Sequence, residues 1–212
     1  MCGIAGLIAA DPSALSNVRL KQMTDRIAHR GPDGEGQWIS PDGKTGLAHR
    51  RLSIIDLSDA GKQPMHYLDR YSITFNGEIY NYVELRELCE KQGYRFQSHT
   101  DTEVIMALYH WKGTDCLQLF DGMFAFALYD EQEKTVFAAR DELDELRESG
   151  IAANEWQLIR NDKRHNIMQY VKRDLGKSLR SFKIEYEVDG TLDTISRVTF
   201  DFPSYKRWYY QI

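Results

Sequence analysis

The chain begins MCGIAG, from Met1 to Gly6, which places a cysteine directly after the initiator methionine. If Met1 is removed, Cys2 carries both a thiol and a free α-amino group, so one residue can supply a nucleophile and a general base. An α-amine with a pKa of about 8 can accept the thiol proton near neutral pH. The ordinary alternative is an incidental buried thiol. Residues elsewhere in the chain decide whether Cys2 is a nucleophile or an incidental thiol.

The composition predicts a globular protein, because 42% of the 212 residues are hydrophobic. The three cysteines, Cys2, Cys89 and Cys116, are odd in number and widely spaced, which argues against a disulfide framework and against a metal site. The apolar runs are too short to span a bilayer. We therefore expect a cytoplasmic protein that binds no metal and no membrane.

The hydrophobic patterning predicts strands at both ends of residues 1–141 and helices between them. This order is typical of an α+β layered fold rather than of an alternating parallel one. The expected strands are 2–10, two within 37–56, 71–75, 123–129 and 135–139, and the expected helices are 13–29, 81–92 and 101–111.

Several residues suit a thiolate that attacks a carboxamide. Asn76 and Gly77 offer a side-chain amide and a backbone N–H to the oxyanion of a tetrahedral intermediate. For an amino-acid substrate, Arg51 is a candidate for binding the α-carboxylate, and Glu78 and Asp101 are candidates for the α-ammonium group. Each also has an ordinary interpretation, as a turn, a surface ion pair or a helix cap.

Eight stretches of the chain form an ordered set of motifs: MCGIAGL, HRGPDGEG, HRRLSIIDL, QPM, FNGEIYNYVELR, HTDTEVIMALY, DGMFAFALYD and FAARD. Together they resemble the class II glutamine amidotransferase domain, and closely the N-terminal half of glutamine-dependent asparagine synthetases. The resemblance implies a four-layer αββα sandwich of the N-terminal nucleophile hydrolases. It also implies that glutamine is hydrolysed to glutamate and ammonia through a cysteine thioester, without a cofactor.

The resemblance further implies roles for single residues. Cys2 would be the nucleophile, and Asn76 and Gly77 would form the oxyanion hole. The loop His29 to Gly36 would close over bound glutamine. The residues implied to bind the substrate are Arg51, Leu52, Ser53, Ile54, Ile55, Glu78 and Asp101.

Residues 142–212 match no motif of the family and form a second, unassigned segment after the glutaminase domain of residues 1–141. Met168, Val171 and Leu175 have helical spacing, and alternation on both sides of Asp189-Gly190 predicts a β-hairpin over residues 182–202. That hairpin would replace the strands that normally follow FAARD and so complete the sandwich. The synthetase domain, which would bind ATP and Mg²⁺, is absent from this sequence.

A second hypothesis is a catalytically silent binding or regulatory module, or a chimera, whose altered C-terminal segment has spoiled the pocket. Arg160 to Lys183 contains eight basic residues that could meet nucleic-acid phosphates, but a solvated helix face is the ordinary interpretation. We therefore expect no nucleic-acid partner. The dimeric habit of the family suggests a homodimer.

Overall fold

A computed structural model describes residues 2–53 and 58–141 in full, and the backbone of five further strands. The helices are α1 Asn17–Arg26, α2 Tyr82–Lys91 and α3 Asp101–Lys112. The strands are β1 Gly3–Ala9, β2 Gly34–Ile39, β3 Thr45–Arg51, β4 Met65–Tyr67, β5 Tyr71–Ile79, β6 Gly122–Asp130, β7 Thr135–Asp141, β8 Gln157–Asp162, β9 Ile167–Arg173, β10 Leu179–Tyr186, β11 Ile195–Phe200 and β12 Tyr209–Gln211.

The strands form two antiparallel sheets. The first sheet has the order β12-β11-β1-β3-β2, and the second has the order β4-β5-β6-β7-β10-β9-β8. One apolar cluster joins α1 to the first sheet, and a larger one joins α2 and α3 to the second. A third cluster lies between the sheets. The predicted four-layer αββα class is therefore confirmed.

Strand β6 shows how the sequence builds these layers. Successive side chains of a strand point to opposite faces, so Phe124 and Phe126 pack toward α2 and α3, whereas Ala125 and Ala127 face the other sheet. The small alanines let the two sheets approach closely. The layer between the sheets comprises Ile4, Leu47, Ala125, Ala127, Tyr129, Val136 and Ala138.

Several predicted boundaries in the N-terminal part differ from the structure, including the start of β2, which is at Gly34 rather than after residue 36. The helix expected over 13–29 spans only Asn17–Arg26, because the Ser16 side chain caps it by accepting a hydrogen bond from the Arg19 N–H. The strand expected to end at Phe75 continues to Ile79, paired with β6 throughout. Asn76 and Gly77 thus lie inside β5 rather than at its end.

Of the predicted C-terminal elements that the structure describes, the two alternating stretches are strands, within β10 and β11, but the helix and the pairing of these strands as a hairpin are wrong. Met168 and Val171 lie in β9, a strand, and not in a helix. The hairpin over residues 182–202 does not form, since β10 pairs with β7 and β9 while β11 pairs with β1 and β12. Alternation of apolar and polar residues indicates a strand but does not show which other strand it pairs with. Leu175, Asp189-Gly190 and residues 142–156 lie outside the described residues.

All three cysteines are free thiols, and Cys89, on α2, and Cys116, shortly after α3, are both buried in the core cluster of α2, α3 and the second sheet. Across the described parts of the chain, no helix has the length and apolar character needed to cross a bilayer.

Candidate active site

A pocket of about 170 Å³ opens where the ends of β3 and β5 meet the first turn of α3. Eight of the predicted site residues line it: Cys2, Arg51, Leu52, Ser53, Asn76, Gly77, Glu78 and Asp101. The other two, Ile54 and Ile55, lie outside the described residues.

Cys2 directly precedes β1 and is half-buried. The backbone N–H of Leu52 donates to its sulfur over 3.3 Å, and the thiol lies 3.6 Å from the Leu52 carbonyl oxygen. The Arg30 Nε donates to the Cys2 carbonyl over 3.0 Å. Burial raises the pKa of the Cys2 thiol, while the Leu52 N–H and the Arg51 charge act in the opposite direction. A base near the sulfur is therefore needed to form the thiolate.

Asn76 and Gly77 present polar groups from the middle of β5. Asn76 is buried, and its Oδ1 has no hydrogen-bond partner among the described residues, which calls for an explanation in a folded protein. Gly77 has a φ of 150°, and a Cβ there would lie 2.2 Å from the Met123 carbonyl oxygen. Only glycine fits, so the backbone at this position faces the pocket without a side chain.

The first turn of α3 positions Asp101. Thr100 caps the helix by accepting a hydrogen bond from the Glu103 N–H. The Glu103 carboxylate in turn accepts hydrogen bonds from the backbone N–H groups of Gln97 and Ser98, over 2.8–3.1 Å. The loop before α3 is therefore held rigidly against the helix that carries Asp101.

Asp101 is a buried carboxyl group whose Oδ2 accepts a hydrogen bond from the Ile79 N–H over 3.0 Å. Burial raises its pKa to about 6, and the charge of Glu78 acts in the same direction. Glu78 itself is exposed at the pocket rim. The two carboxyl groups make this end of the pocket negative near neutral pH.

Arg51, at the end of β3, brings a positive charge to the same pocket. Its Nη1 donates to the Ser58 carbonyl over 3.0 Å. One pocket thus holds a guanidinium, two carboxyl groups and a thiol, an arrangement that can bind both charged groups of an amino acid beside a nucleophile.

Sequence reasoning missed His49, Gln63, Tyr80, Thr102 and Met123, which also line the pocket. The His49 Nε2 bonds to the Phe75 carbonyl over 3.1 Å, a bond in which the ring must donate. Burial lowers the pKa of His49 to about 4, so its ring is neutral at neutral pH. His49, Gln63 and Thr102 could have been chosen as candidates from the sequence, because they lie in the motifs HRRLSIIDL, QPM and HTDTE.

The loop expected to close over the substrate does not line the pocket. Gly34–Ile39 is strand β2, paired with β3 from Gly34 opposite Arg51. Gly31 packs so closely on β3 that a Cβ there would lie 2.4 Å from the Arg50 carbonyl oxygen. Arg30, through its bond to the Cys2 carbonyl, connects this stretch to the nucleophile.

A sequence model of the glutamine amidotransferase domain matches residues 1–146. The chain belongs to this family. It is 43% identical over 145 residues to asparagine synthetase (glutamine-hydrolysing) 1 of Bacillus subtilis, covering 66% of this chain and 22% of the relative. It is 41% identical over 160 residues to putative asparagine synthetase (glutamine-hydrolysing) 2 of Methanocaldococcus jannaschii, covering 68% of this chain and 30% of the relative.

Solved structures agree with this amidotransferase fold. The glutamine phosphoribosylpyrophosphate amidotransferase of B. subtilis, solved with ADP and GMP, superimposes with a TM-score of 0.54 at 21% identity, over 66% of this chain and 37% of that one. A structure described as the allosteric regulatory enzyme of purine biosynthesis gives 0.54 at 16% identity, over 90% of this chain and 50% of that one. At these identities the similarity establishes the fold alone.

Proposed function

We propose that this amidotransferase domain hydrolyses glutamine to glutamate and ammonia, with Cys2 as the nucleophile once Met1 has been removed. The proposal rests on the combination of residues that line the pocket. It holds the Cys2 sulfur, contacted by the Leu52 N–H, together with Asn76, Gly77 and both signs of charge.

Substrate binding follows from the charges. The Arg51 guanidinium binds the α-carboxylate, for which it can supply two parallel donors. Glu78 and Asp101 bind the α-ammonium group. The backbone of Leu52 and Ser53, continuing into Ile54 and Ile55, lines the space for the substrate side chain. These contacts fix the glutamine carboxamide beside the Cys2 sulfur.

The reaction then needs a nucleophile, a base and an oxyanion site. The Cys2 α-amine takes the thiol proton, and the sulfur attacks the carboxamide carbon. The Asn76 side-chain amide and the Gly77 N–H donate to the oxyanion. The C–N bond breaks as the α-ammonium returns its proton to the leaving nitrogen, which departs as ammonia. Water, deprotonated by the same amine, cleaves the thioester to release glutamate and restore the thiol.

None of these steps uses a metal or an organic cofactor. The chain spans only 22% and 30% of the two asparagine synthetases it matches. We therefore propose it as the amidotransferase half of an asparagine-synthetase-type system, in which ATP and Mg²⁺ act in a separate synthetase domain that receives the ammonia.

We also propose that residues 142–212 complete the sandwich. The pairings of β10 with β7 and of β11 with β1 support this, because they extend both sheets. A domain boundary near residue 141, a homodimer and a reducing cytoplasmic location stay predictions. Size-exclusion chromatography with light scattering tests the homodimer.

The experiment is an assay of glutamate and ammonia released from glutamine by the purified chain. Cys2→Ala should abolish release of both products. Cys89→Ala, which truncates a buried thiol outside the pocket, should retain turnover. A folded wild-type chain that lacks Met1 and releases no glutamate would refute the proposal and favour a silent binding module.

A further inference from the structure

We propose that Gln63 is a positioning residue. Its side chain holds β5, the strand that carries Asn76 and Gly77, at a fixed position relative to the first turn of α3, which carries Asp101. The inference rests on the proposed glutamine hydrolysis and assigns a role to a side chain that this chemistry does not otherwise use. Gln63 lines the pocket and bridges two elements that reach it from different parts of the chain.

The first end of the bridge lies on β5. The Gln63 Oε1 accepts a hydrogen bond from the Phe75 N–H over 2.6 Å. Strand β4 pairs with β5 only between residues 65–67 and 71–73, so it does not reach Phe75. Gln63 therefore supplies the acceptor that a neighbouring strand would otherwise provide. Phe75 directly precedes Asn76, so this bond fixes the backbone that carries the oxyanion site.

The second end of the bridge lies on α3. The Gln63 Nε2 donates to the Thr102 Oγ1 over 3.3 Å. Thr102 is buried in the first turn of the helix and directly follows Asp101. The chemistry fixes the orientation of the amide, because a backbone N–H can only donate. Oxygen must therefore face Phe75, which leaves nitrogen for Thr102.

The backbone of Gln63 is itself held in place. Gly36 of β2 packs so closely that a Cβ there would lie 1.9 Å from the Gln63 carbonyl oxygen. Because its backbone is held in place and both polar atoms of its side-chain amide are hydrogen-bonded, Gln63 acts as a rigid spacer between β5 and α3. Removing the spacer should displace Asn76, which lowers kcat, and Asp101, which raises KM.

The test compares Gln63→Leu with Gln92→Leu, a matched change at an exposed glutamine after α2. Gln63→Leu should lower kcat by about tenfold and raise KM for glutamine by about tenfold. Gln92→Leu should change neither. Loss of folding alone would lower the apparent kcat in proportion to the folded fraction with KM unchanged, and that result would overturn the positioning role.

A double-mutant cycle tests whether Gln63 acts through Thr102. Thr102→Val keeps the shape of the side chain and removes the acceptor, so it should raise KM by a few fold with kcat unchanged. In the Gln63→Leu background, Thr102→Val should have no further effect on KM. Additive effects of the two changes would contradict the bridge.

Two readouts need no turnover and separate this inference from the proposed function. Hydrogen exchange at the Phe75 amide should accelerate in Gln63→Leu, and alkylation of Cys2 by iodoacetamide should keep its wild-type rate. If wild type releases no glutamate, the proposed function fails, while exchange at the Phe75 amide still decides whether Gln63 fixes β5: unchanged exchange in Gln63→Leu would overturn the positioning role. If wild type turns over and Gln63→Leu matches it, only the positioning role fails.

Discussion

The backbone N–H of Leu52 donates a hydrogen bond to the Cys2 sulfur over 3.3 Å, although the two residues are 50 positions apart in sequence. The register of β1 and β3 causes this contact, because Gly3 lies opposite Arg50. The residues that follow β3 therefore come alongside the one that precedes β1. Burial raises the pKa of the Cys2 thiol, and the Leu52 hydrogen bond opposes part of that rise, so the pairing of these strands places the proposed nucleophile and limits the pKa increase.

Arg51→Lys should raise KM for glutamine by about tenfold to a hundredfold while kcat changes much less. Lysine keeps the charge but loses the paired donors that match a carboxylate. Steady-state kinetics with glutamine measures the effect, and Arg19→Lys, on the exposed surface of α1, is the control. An unchanged KM in Arg51→Lys would remove Arg51 from the substrate site.

The raised pKa of Asp101, about 6, predicts pH-dependent substrate binding. Protonation below that pH removes the charge that binds the α-ammonium group, so wild-type KM should rise as the pH falls through about 6. Asp101→Asn should have a KM about tenfold higher near neutral pH and a flat profile across this range. Asp69→Asn, at an exposed position outside the pocket, should leave the wild-type profile intact.

His49 and Asp101 should have opposite effects on stability in acid. The pKa of His49 falls from 6.5 to about 4 on folding, so between these pH values the unfolded chain is protonated at His49 while the folded chain is not. Stability is therefore lost as the pH falls from 6.5 toward 4, by at most about 3 kcal/mol. Asp101, whose pKa rises from 3.8 to about 6, binds its proton first in the folded state and gains stability over the overlapping window.

Urea unfolding at pH 7 and near pH 5 separates these two effects. His49→Gln can still donate to the Phe75 carbonyl but does not titrate, so it should lose less stability in acid than wild type does. Asp101→Asn should be more stable than wild type at pH 7 and should lose more stability on acidification. The same slope in all three proteins would contradict both assignments.

Gly77→Ala should inactivate the enzyme and lower the free energy of unfolding. The added Cβ would lie 2.2 Å from the Met123 carbonyl oxygen, at a φ of 150°. Gly93→Ala is the matched control, since Gly93 also has a positive φ, of 91°, but has no atom within 4 Å of a Cβ. Backbone strain alone should cost Gly93→Ala about 1 kcal/mol, and Gly77→Ala should cost clearly more. Equal losses would show that the close contact is unimportant.

The ordered motifs of residues 1–141 predicted the sandwich, and each predicted site residue that the structure describes lines one pocket. Side-chain bridges between elements could not be predicted, because the acceptor of His49 and both partners of Gln63 depend on how the sheets and α3 pack. Strand partners at the C-terminal end were missed for a related reason. Period-two alternation looks the same in a hairpin and in two strands that join different sheets.

The proposed mechanism requires that Cys2, freed of Met1, forms a thioester with the glutamyl group. Acid quenching during turnover, followed by peptide mass spectrometry, tests it most directly. We expect a glutamyl adduct on Cys2, confined to chains that have lost Met1 and absent from Cys2→Ala. Turnover without an adduct on Cys2, or an adduct on Cys89 or Cys116, would contradict it.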